Sequence, residues 1–319
     1  MTAYVIRRVV LGIALLIIVC ALTFVLFRII PTGNPAVLRA GRDPQPHLIK
    51  EIERVLGLGK PLTVQFWDYL KQVIFHFNLG YSYYSQESVV NLIRERLPAT
   101  ISLTVGAAVV WMVAGLSIGI ISALKRRTFW DRASMGIALV LISAPEFWLG
   151  LLALLLFAND IGKLKIFPGA GSYVGLTHDP WKWFTSLIMP WCVLAAGSAA
   201  VFARLMRGSM IETMDEDYIR TARAKGLRER FVIRQGIRSS INPIITLLAL
   251  EVGVLLGGAV LIEYVFNIPG VGLLAYHSIV ESDFPVIQGT VLLASMFIIL
   301  ANLLADIGYA YLDPRVRYS

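Results

Sequence analysis

The sequence predicts an all-α integral membrane protein that crosses the bilayer six times. Of its 319 residues, 57% are hydrophobic and 16% are charged, whereas soluble proteins carry about 25% charged residues. The apolar residues fall into six runs, each long enough to cross a bilayer as a helix that rises about 1.5 Å per residue. Polar stretches with turn residues separate the runs, so we expect one bundle of helices joined by loops.

The six runs define the predicted membrane spans within a single domain, residues 1–319. They cover about residues 9–30, 100–124, 133–158, 184–206, 244–262 and 286–309. The first run resembles a signal peptide, but signal peptides have a shorter apolar core of about 7 to 15 residues and a small-residue cleavage site. We therefore predict that the first run is retained as a span.

Residues 31–98 form a long polar insertion between the first two spans. Apolar residues recur at helical spacing over 46–56 and 64–77, and a third short helix is expected over 87–97. Such helices pack on the bundle or the membrane interface, or form a platform that receives a delivery protein outside the cell.

Basic residues are distributed unevenly among the other loops. The N-terminus, the loop 125–132, the stretch 204–238 and the tail 313–317 together hold 17 Lys and Arg, whereas the short loops on the other side hold 3. Short basic loops favour the cytoplasm, so both termini are predicted to face inward. The net charge of +8 is thereby explained by topology, and we do not expect nucleic-acid binding.

The polar segment 207–243 is the longest polar interruption in the second half of the chain. Within it, Asp217 suits the N-cap of a helix and Gly226 suits its end, which predicts one short helix. Its small residues Thr221, Ala222, Ala224 and Gly226 would let another surface approach the backbone. The alternative is a solvated basic loop that meets anionic lipid headgroups.

Acidic residues inside predicted spans are the candidates for a transport pathway. A charge at mid-membrane costs about 2.5 to 3.5 kcal/mol on insertion scales, so it normally faces protein or water. Glu146 and Glu251 are the main candidates, and Gly258 and Asn302 are weaker ones. Glu251 either meets the positive end of a solute or is a neutral carboxyl that ties spans together. For Asn302 and Asp306, a helix–helix hydrogen bond is the competing role.

A Pro-Gly break interrupts the apolar stretch after the fifth span. Irregular backbone at this depth is stable only when it is buried in protein or lines a cavity. This predicts a gate or loop at the far membrane face, formed by Glu263, Phe266, Pro269, Gly270 and Gly272.

The chain resembles the permease subunits of ABC importers, and among them the dipeptide, oligopeptide and nickel branch. The run Asp217-Tyr-Ile-Arg-Thr-Ala-Arg-Ala-Lys-Gly-Leu227 is similar to their cytoplasmic "EAA" loop, and Glu263-Tyr-Val-Phe-Asn-Ile-Pro-Gly-Val-Gly272 to their Glu-x-x-Phe-x-x-Pro-Gly-x-Gly stretch. Further similar stretches are Ile29–Pro31, Leu56–Pro61, Asn78–Ser82, Leu97–Thr100, Phe147–Gly150 and Leu312–Arg317.

This resemblance implies a type I importer (MetI-like) bundle in a bacterial or archaeal cytoplasmic (inner) membrane. Its implied partners are a second homologous permease, two cytoplasmic ATPase subunits that bind ATP and Mg, an extracytoplasmic solute-binding protein and membrane lipid. In that family a short helix, the coupling helix, seats in a cleft of the ATPase. The residues that would make this contact here are Asp217, Tyr218, Ile219, Arg220, Thr221, Ala222, Arg223, Ala224, Lys225, Gly226 and Leu227.

The sequence itself contains no Gly-x-x-x-x-Gly-Lys-Ser/Thr phosphate-binding loop and no hydrolase motif. We therefore predict a permease that is not an enzyme, holds no cofactor or metal of its own, and imports peptides with energy from partner ATPases. The alternatives are a secondary transporter or channel that acts alone, a membrane scaffold, or import of nickel or another solute by the same architecture. A lone secondary transporter would be expected to show repeated halves with broken helices.

Overall fold

The computed structural model describes residues 2–29, 36–37, 45–56, 59–256 and 259–312. Gly258, Gly257, the turn 32–35 and the basic tail 313–317 lie outside the described residues. Apart from two isolated bridges, all regular secondary structure in the described chain is helical, which confirms the all-α prediction. The α-helices are α1 (Thr2–Phe24), α2 (Pro46–Leu56), α3 (Leu62–His76), α4 (Val89–Leu124), α5 (Phe129–Ser143), α6 (Glu146–Phe157), α7 (Pro180–Met214), α8 (Asp217–Ala224), α9 (Glu229–Ser240), α10 (Asn242–Leu256), α11 (Val260–Val265), α12 (Val271–Val280) and α13 (Phe284–Leu312), and a π-helical turn over Val25–Ile29 extends α1.

Four helices in the described chain are long and apolar enough to cross a membrane. They contain the stretches Ile6–Phe27, Val89–Leu124, Pro180–Met214 and Phe284–Leu304. The pair α5 and α6 makes a fifth span if it counts as one bent crossing. The predicted span 244–262 falls on α10 and α11, and α10 has only 15 residues. The structure is therefore compatible with six spans but does not establish the sixth.

The predicted third span, 133–158, is not one straight helix. α5 and α6 meet at an angle of 105°. Proline disfavours helical backbone in the residue before it and donates no N–H. Ala144, which precedes Pro145, accordingly adopts extended backbone with φ −83° and ψ 129°. The predicted span therefore consists of two helices, and the sequence conceals the bend because apolar residues continue on both sides of it.

The separate helix predicted over 87–97 was wrong, because α4 continues unbroken through Pro98. A proline inside a helix leaves the carbonyl four residues earlier without its N–H partner. Both Arg94 and Pro98 are exposed, so this carbonyl can bond to water. The next turn is held by buried Ala99, Thr100 and Leu103, which pack into the bundle.

The core of the bundle is the interface between α4 and α7. Trp111 on α4 and Phe202 on α7 are fully buried, with ring centroids 6.2 Å apart. A Cβ added to Gly119 would lie 2.7 Å from the carbonyl oxygen of Ala203, so the two backbones nearly touch. Because their backbones approach closely and their buried aromatic rings pack together, α4 and α7 form the central helix pair, and other helices pack against it.

The helices at the two ends of the chain also pack together. A Cβ on Gly253 of α10 would overlap the side chain of Ala301 on α13, so these two helices are in close contact. α1 packs on α13 as well.

The insertion is held on this frame at two points. The helices predicted over 46–56 and 64–77 are present as α2 and α3, and Leu70 of α3 packs against Cys20 and Leu292. Farther along, the hydroxyl of Ser82 donates a hydrogen bond to the buried carboxylate of Asp283, which also accepts from the Tyr83 N–H at 3.0 Å. The turn before α4 is thus pinned to the turn between α12 and α13.

Candidate functional site

The short helix predicted in the polar segment 207–243 is present as α8. Asp217 is its first helical residue, and Glu216 occupies the N-cap position with extended backbone and no side-chain cap bond. The predicted cap therefore lies one residue earlier than expected. Gly226 ends the helical region with φ +75°, a conformation that glycine adopts without strain.

One face of α8 is buried against this chain. Ile219 and Ala222 are 0% and 7% exposed, and they pack against Val232 of α9 and Met214 at the end of α7. Residues three apart share a face of a helix, so Ala222 must follow Ile219 inward. The expectation that Ala222 is open to another surface was wrong for this reason.

The other face of α8 is open. Thr221 and Ala224 are exposed, and a Cβ on Gly226 would have no heavy atom within 4 Å. Large side chains stand beside these small ones: Tyr218 is 40% exposed and Leu227 46%. The helix therefore presents a surface of small and apolar residues that nothing in the described chain covers.

α9 fixes α8 to the end of α7. A Cβ on Gly236 would lie 2.8 Å from the sulfur of Met214, so the two helices are in close contact. The Ser209 hydroxyl donates to the carbonyl of Ser240 at 3.1 Å, and the Ser240 hydroxyl donates to the carbonyl of Ser209 at 3.3 Å. The segment is attached firmly enough that α7 and α8 should move together.

Two exposed ion pairs involve residues of the polar segment 207–243. Arg223 contacts Glu229 at 2.8 Å, and Arg126 in the loop before α5 contacts Asp215 at 3.3 Å. The hydrogen bonds that Arg223 donates to Glu229 lower the pKa of the Glu229 carboxyl and raise the pKa of the Arg223 guanidinium. These side chains are largely exposed, so each pair contributes at most about 1 kcal/mol.

Two of the predicted pathway residues lie on helices that pack against α7. Glu146 begins α6 at the bend and lies within range of an electrostatic interaction with Glu251 on α10. A Cβ on Gly197 would lie 4.0 Å from Glu146 Oε1, so this carboxylate faces α7. Glu146 is exposed and Glu251 half-buried within this single chain.

The other pathway candidates are not brought to this place. Asn302 lines a cavity between α1 and α13 together with Arg8 and Gly12. Gly258 lies outside the described residues, and the side chain of Asp306 is not among those described.

All five residues predicted for the gate surround the break between α11 and α12. Glu263 is fully buried. Its Oε1 accepts from the Thr100 hydroxyl at 2.7 Å, and its Oε2 accepts from the Leu273 N–H at 2.8 Å. The N–H of Val271 donates in turn to Thr100 Oγ1 at 2.8 Å. The carboxylate thus holds the first turn of α12, where backbone N–H groups lack helical partners and favour negative charge.

The glycines of this stretch make room for the carboxylate. A Cβ on Gly270 would overlap the carboxyl group of Glu263, and one on Gly272 would lie 2.9 Å from its Oε2. Phe266 is buried beside Gly150 of α6 and its carbonyl accepts from the Gly171 N–H at 2.8 Å, whereas Pro269 is exposed. Apart from the exposed Pro269, the residues on both sides of the break are therefore buried in protein, as irregular backbone at membrane depth requires.

Three polar residues with structural roles were not predicted as site residues. Asp131 and Arg207 form a buried ion pair between α5 and α7, and Asp283 holds the turn before α4. Each is a single charged residue near the end of an apolar run. The only signal in the sequence is Asp131, the one acidic residue in the basic loop 125–132.

The long apolar helices define a multi-pass membrane protein, and its family shows that it is a component of a transport system. Residues 115–318 match the family described as "Binding-protein-dependent transport system inner membrane component", and residues 1–104 match its N-terminal companion, "Binding-prot-dependent transport system membrane comp, N-term". The chain belongs to this family of inner-membrane transport permeases, whose members are not themselves catalytic. The resemblance to ABC-importer permeases is confirmed.

Similar proteins cover the whole chain. A putative peptide transport system permease protein of Brucella abortus (strain 2308) is 40% identical over 320 residues, which is 100% of both chains. Glutathione transport system permease proteins of Pectobacterium atrosepticum and Escherichia coli (strain K12) are 40% and 39% identical, again over 100% of both chains.

Proposed function

We propose that this chain is one of two permease subunits of an ATP-driven importer that carries peptides into a bacterial or archaeal cell. The names of the relatives, which are peptide and glutathione permeases identical at 39–40% over their full length, support a peptide solute. The 17 basic residues on one side against 3 in the short loops of the other support a cytoplasmic location for both termini.

The partners follow from what this sequence lacks and from its family. Because it has no phosphate-binding loop, ATP and Mg would be bound by two cytoplasmic ATPase subunits. A solute-binding protein would deliver the peptide from outside, in keeping with the words "binding-protein-dependent" in the family description. A second, homologous permease would complete the pathway.

The observation that carries this proposal is the geometry of α8. Its inner face is fixed to α7 through α9, and its outer face presents Thr221, Ala224 and Gly226 without a covering neighbour. A helix that is fixed on one side and open on the other suits insertion into a cleft of a partner. In the proposed mechanism, closure of the ATPase dimer displaces α8 and biases the bundle between two packings, one open to each side.

A tryptophan at Ala224 tests the contact with the ATPase. We expect Ala224→Trp to weaken co-purification of the ATPase subunits about tenfold, which corresponds to about 1.4 kcal/mol. Asn91→Trp is the control. Asn91 is exposed in the first turn of α4, at the end of that helix that lies away from α8, so this substitution should leave co-purification unchanged. Full ATPase binding and full ATP-dependent uptake by Ala224→Trp would refute the docking role of α8.

The carboxylates near the α6 bend are proposed to line the pathway. Glu146 and Glu251 lie on helices that pack against α7 and within electrostatic range of each other, and their negative charge would attract the amino group of a peptide. We expect Glu251→Gln to raise the KM for uptake of a labelled dipeptide about tenfold at matched expression. Asn302→Ala serves as the control because Asn302 faces α1. Unchanged kinetics in Glu251→Gln would assign Glu251 a structural role.

The cluster around Glu263 is proposed to close the pathway on the side of the insertion. It joins α4, α11 and α12 through one buried carboxylate, so these elements form one block beside the break.

Identification of the ligand on the delivering binding protein by mass spectrometry would define the solute. A ligand that is not a peptide would refute the peptide proposal and leave the permease assignment intact.

A further inference from the structure

A partly buried ion pair joins α5 to α7 at the first residue of the polar segment 207–243. Arg207 Nε donates to Asp131 Oδ1 at 2.7 Å, and Arg207 Nη2 donates to Asp131 Oδ2 at 2.9 Å. The Asp131 side chain is 5% exposed and that of Arg207 29%. Two parallel hydrogen bonds between planar groups fix orientation as well as distance.

The same carboxylate also binds α4 and the loop that follows it. The Ser122 hydroxyl donates to Asp131, and so does the N–H of Arg127, at 2.9 Å. Asp131 lies in the first turn of α5, where the helix dipole adds to its stabilisation. The end of α4, the start of α5 and the last turns of α7 therefore meet at a single side chain.

The ion pair lies two residues from the contacts that hold α9. Ser209, Met210 and Met214 of α7 contact α9, and Arg207 precedes them on the same helix. A displacement of the polar segment 207–243 that moves the end of α7 must therefore act on the ion pair.

Beyond the ion pair, α5 packs on α7 but leaves a groove. This groove of about 290 Å³ runs between α5 and the pair α4 and α7. Its walls carry Ile137 and Leu141 on α5 and small side chains such as Ala195 and Ala199 on α7. The groove leaves α5 space to shift between its neighbours.

Buried ion pairs contribute little net stability, because the cost of removing two charges from water offsets their attraction. Instead, this bidentate pair fixes the orientation of α5 relative to α7, in a place where the groove leaves α5 room to tilt. From Asp131 to the bend at Pro145 the helix extends about 21 Å at 1.5 Å per residue, and Glu146 follows the bend directly.

We propose that Asp131 and Arg207 are positioning residues that transmit movement of the polar segment 207–243 through α7 to α5, and so move the bend that carries Glu146. This inference rests on the proposed function, since it requires an ATPase that acts on α8. The ion pair couples the movement of α7 to α5, and the groove provides the space in which α5 moves.

The test uses the complete transporter, with its ATPase subunits and its binding protein, in proteoliposomes. The variant is Asp131→Asn combined with Arg207→Gln, which removes both charges and so leaves neither buried alone. We expect uptake of a labelled dipeptide to fall roughly tenfold while ATP hydrolysis stays within about twofold of wild type, since mutations along a coupling route change coupling by factors of this order. The measured quantity is the number of solutes moved per ATP hydrolysed. This ratio falls if movement is no longer transmitted, whereas misfolding lowers uptake and hydrolysis together and leaves the ratio unchanged.

Arg126→Gln is the matched control, because it breaks the neighbouring exposed ion pair with Asp215 and should leave this ratio unchanged. Arg207→Lys keeps the charge but loses the planar fork, so it should recover part of the ratio. A ratio equal to wild type in the double variant would overturn the inference, and so would a parallel loss of uptake and hydrolysis in both the double variant and Arg207→Lys. A wild-type complex without ATP-dependent uptake would refute the proposed function and this inference together.

Discussion

Replacing Glu263 by alanine should release the first turn of α12. In the native chain Thr100 Oγ1 and the Leu273 N–H donate to the two oxygens of this fully buried carboxylate at 2.7 and 2.8 Å. Truncation leaves both donors unpaired. At about 1–3 kcal/mol for each stranded buried group, the local structure loses about 2–6 kcal/mol.

Hydrogen–deuterium exchange of residues 268–280 in nanodiscs measures this loss. Because about 1.4 kcal/mol corresponds to a factor of ten, even about 2 kcal/mol gives roughly thirtyfold faster exchange for amides that exchange by local opening. Glu263→Gln is the control: its carbonyl oxygen can accept from Leu273, and its amide nitrogen can donate to Thr100. It should exchange much more slowly than the alanine variant.

Two results would refute this reasoning. Equal exchange in wild type and Glu263→Ala would show that the carboxylate does not hold α12. Equally fast exchange in the glutamine and alanine variants would show that the negative charge, and not the number of hydrogen bonds, stabilises the turn.

Three further substitutions test the frame of the bundle. Phe202→Ala should destabilise the protein by about 3–5 kcal/mol, as a lower thermal midpoint in detergent, because Phe202 is fully buried. Gly253→Leu should lower the midpoint as well by forcing α10 away from α13, whereas Gly136→Leu should not, since a Cβ there has open space. Asp283→Ala should make the turn 82–85 more sensitive to protease, because Ser82 and Tyr83 lose their shared acceptor; unchanged cleavage would show that other contacts hold the turn.

Local pattern was sufficient for most helices. The periodic apolar residues of 46–56 and the Gly226 stop predicted α2 and the end of α8 because both signals lie within a few residues of the feature they control. Apolar content alone could not reveal the bend at Pro145. A membrane run can contain a proline and continue straight, as α4 does at Pro98 and α7 at Pro190. Which outcome occurs depends on neighbours that the local sequence does not identify.

Tertiary partners were harder to predict than elements. The stretch from Glu263 to Gly272 was predicted as a site because its acid, proline and glycines are close in sequence, and Glu263 holds Leu273 only 10 residues away. The partners Asp131 and Arg207 are 76 residues apart, with an entire bent span and a loop between them. No periodicity relates them, and only the packing of α5 on α7 brings them together. Ala222 shows the same difficulty. Its small size did not reveal that it packs against this chain instead of facing a partner.

The length of α7 determines where a partner protein can bind. At 35 residues and about 1.5 Å per residue the helix is about 52 Å long, whereas a bilayer with its headgroups is about 40–45 Å thick. An untilted α7 is therefore longer than the bilayer is thick. α8 follows the last turn of α7, so the excess length can hold α8 beyond the headgroups, within reach of a water-soluble protein.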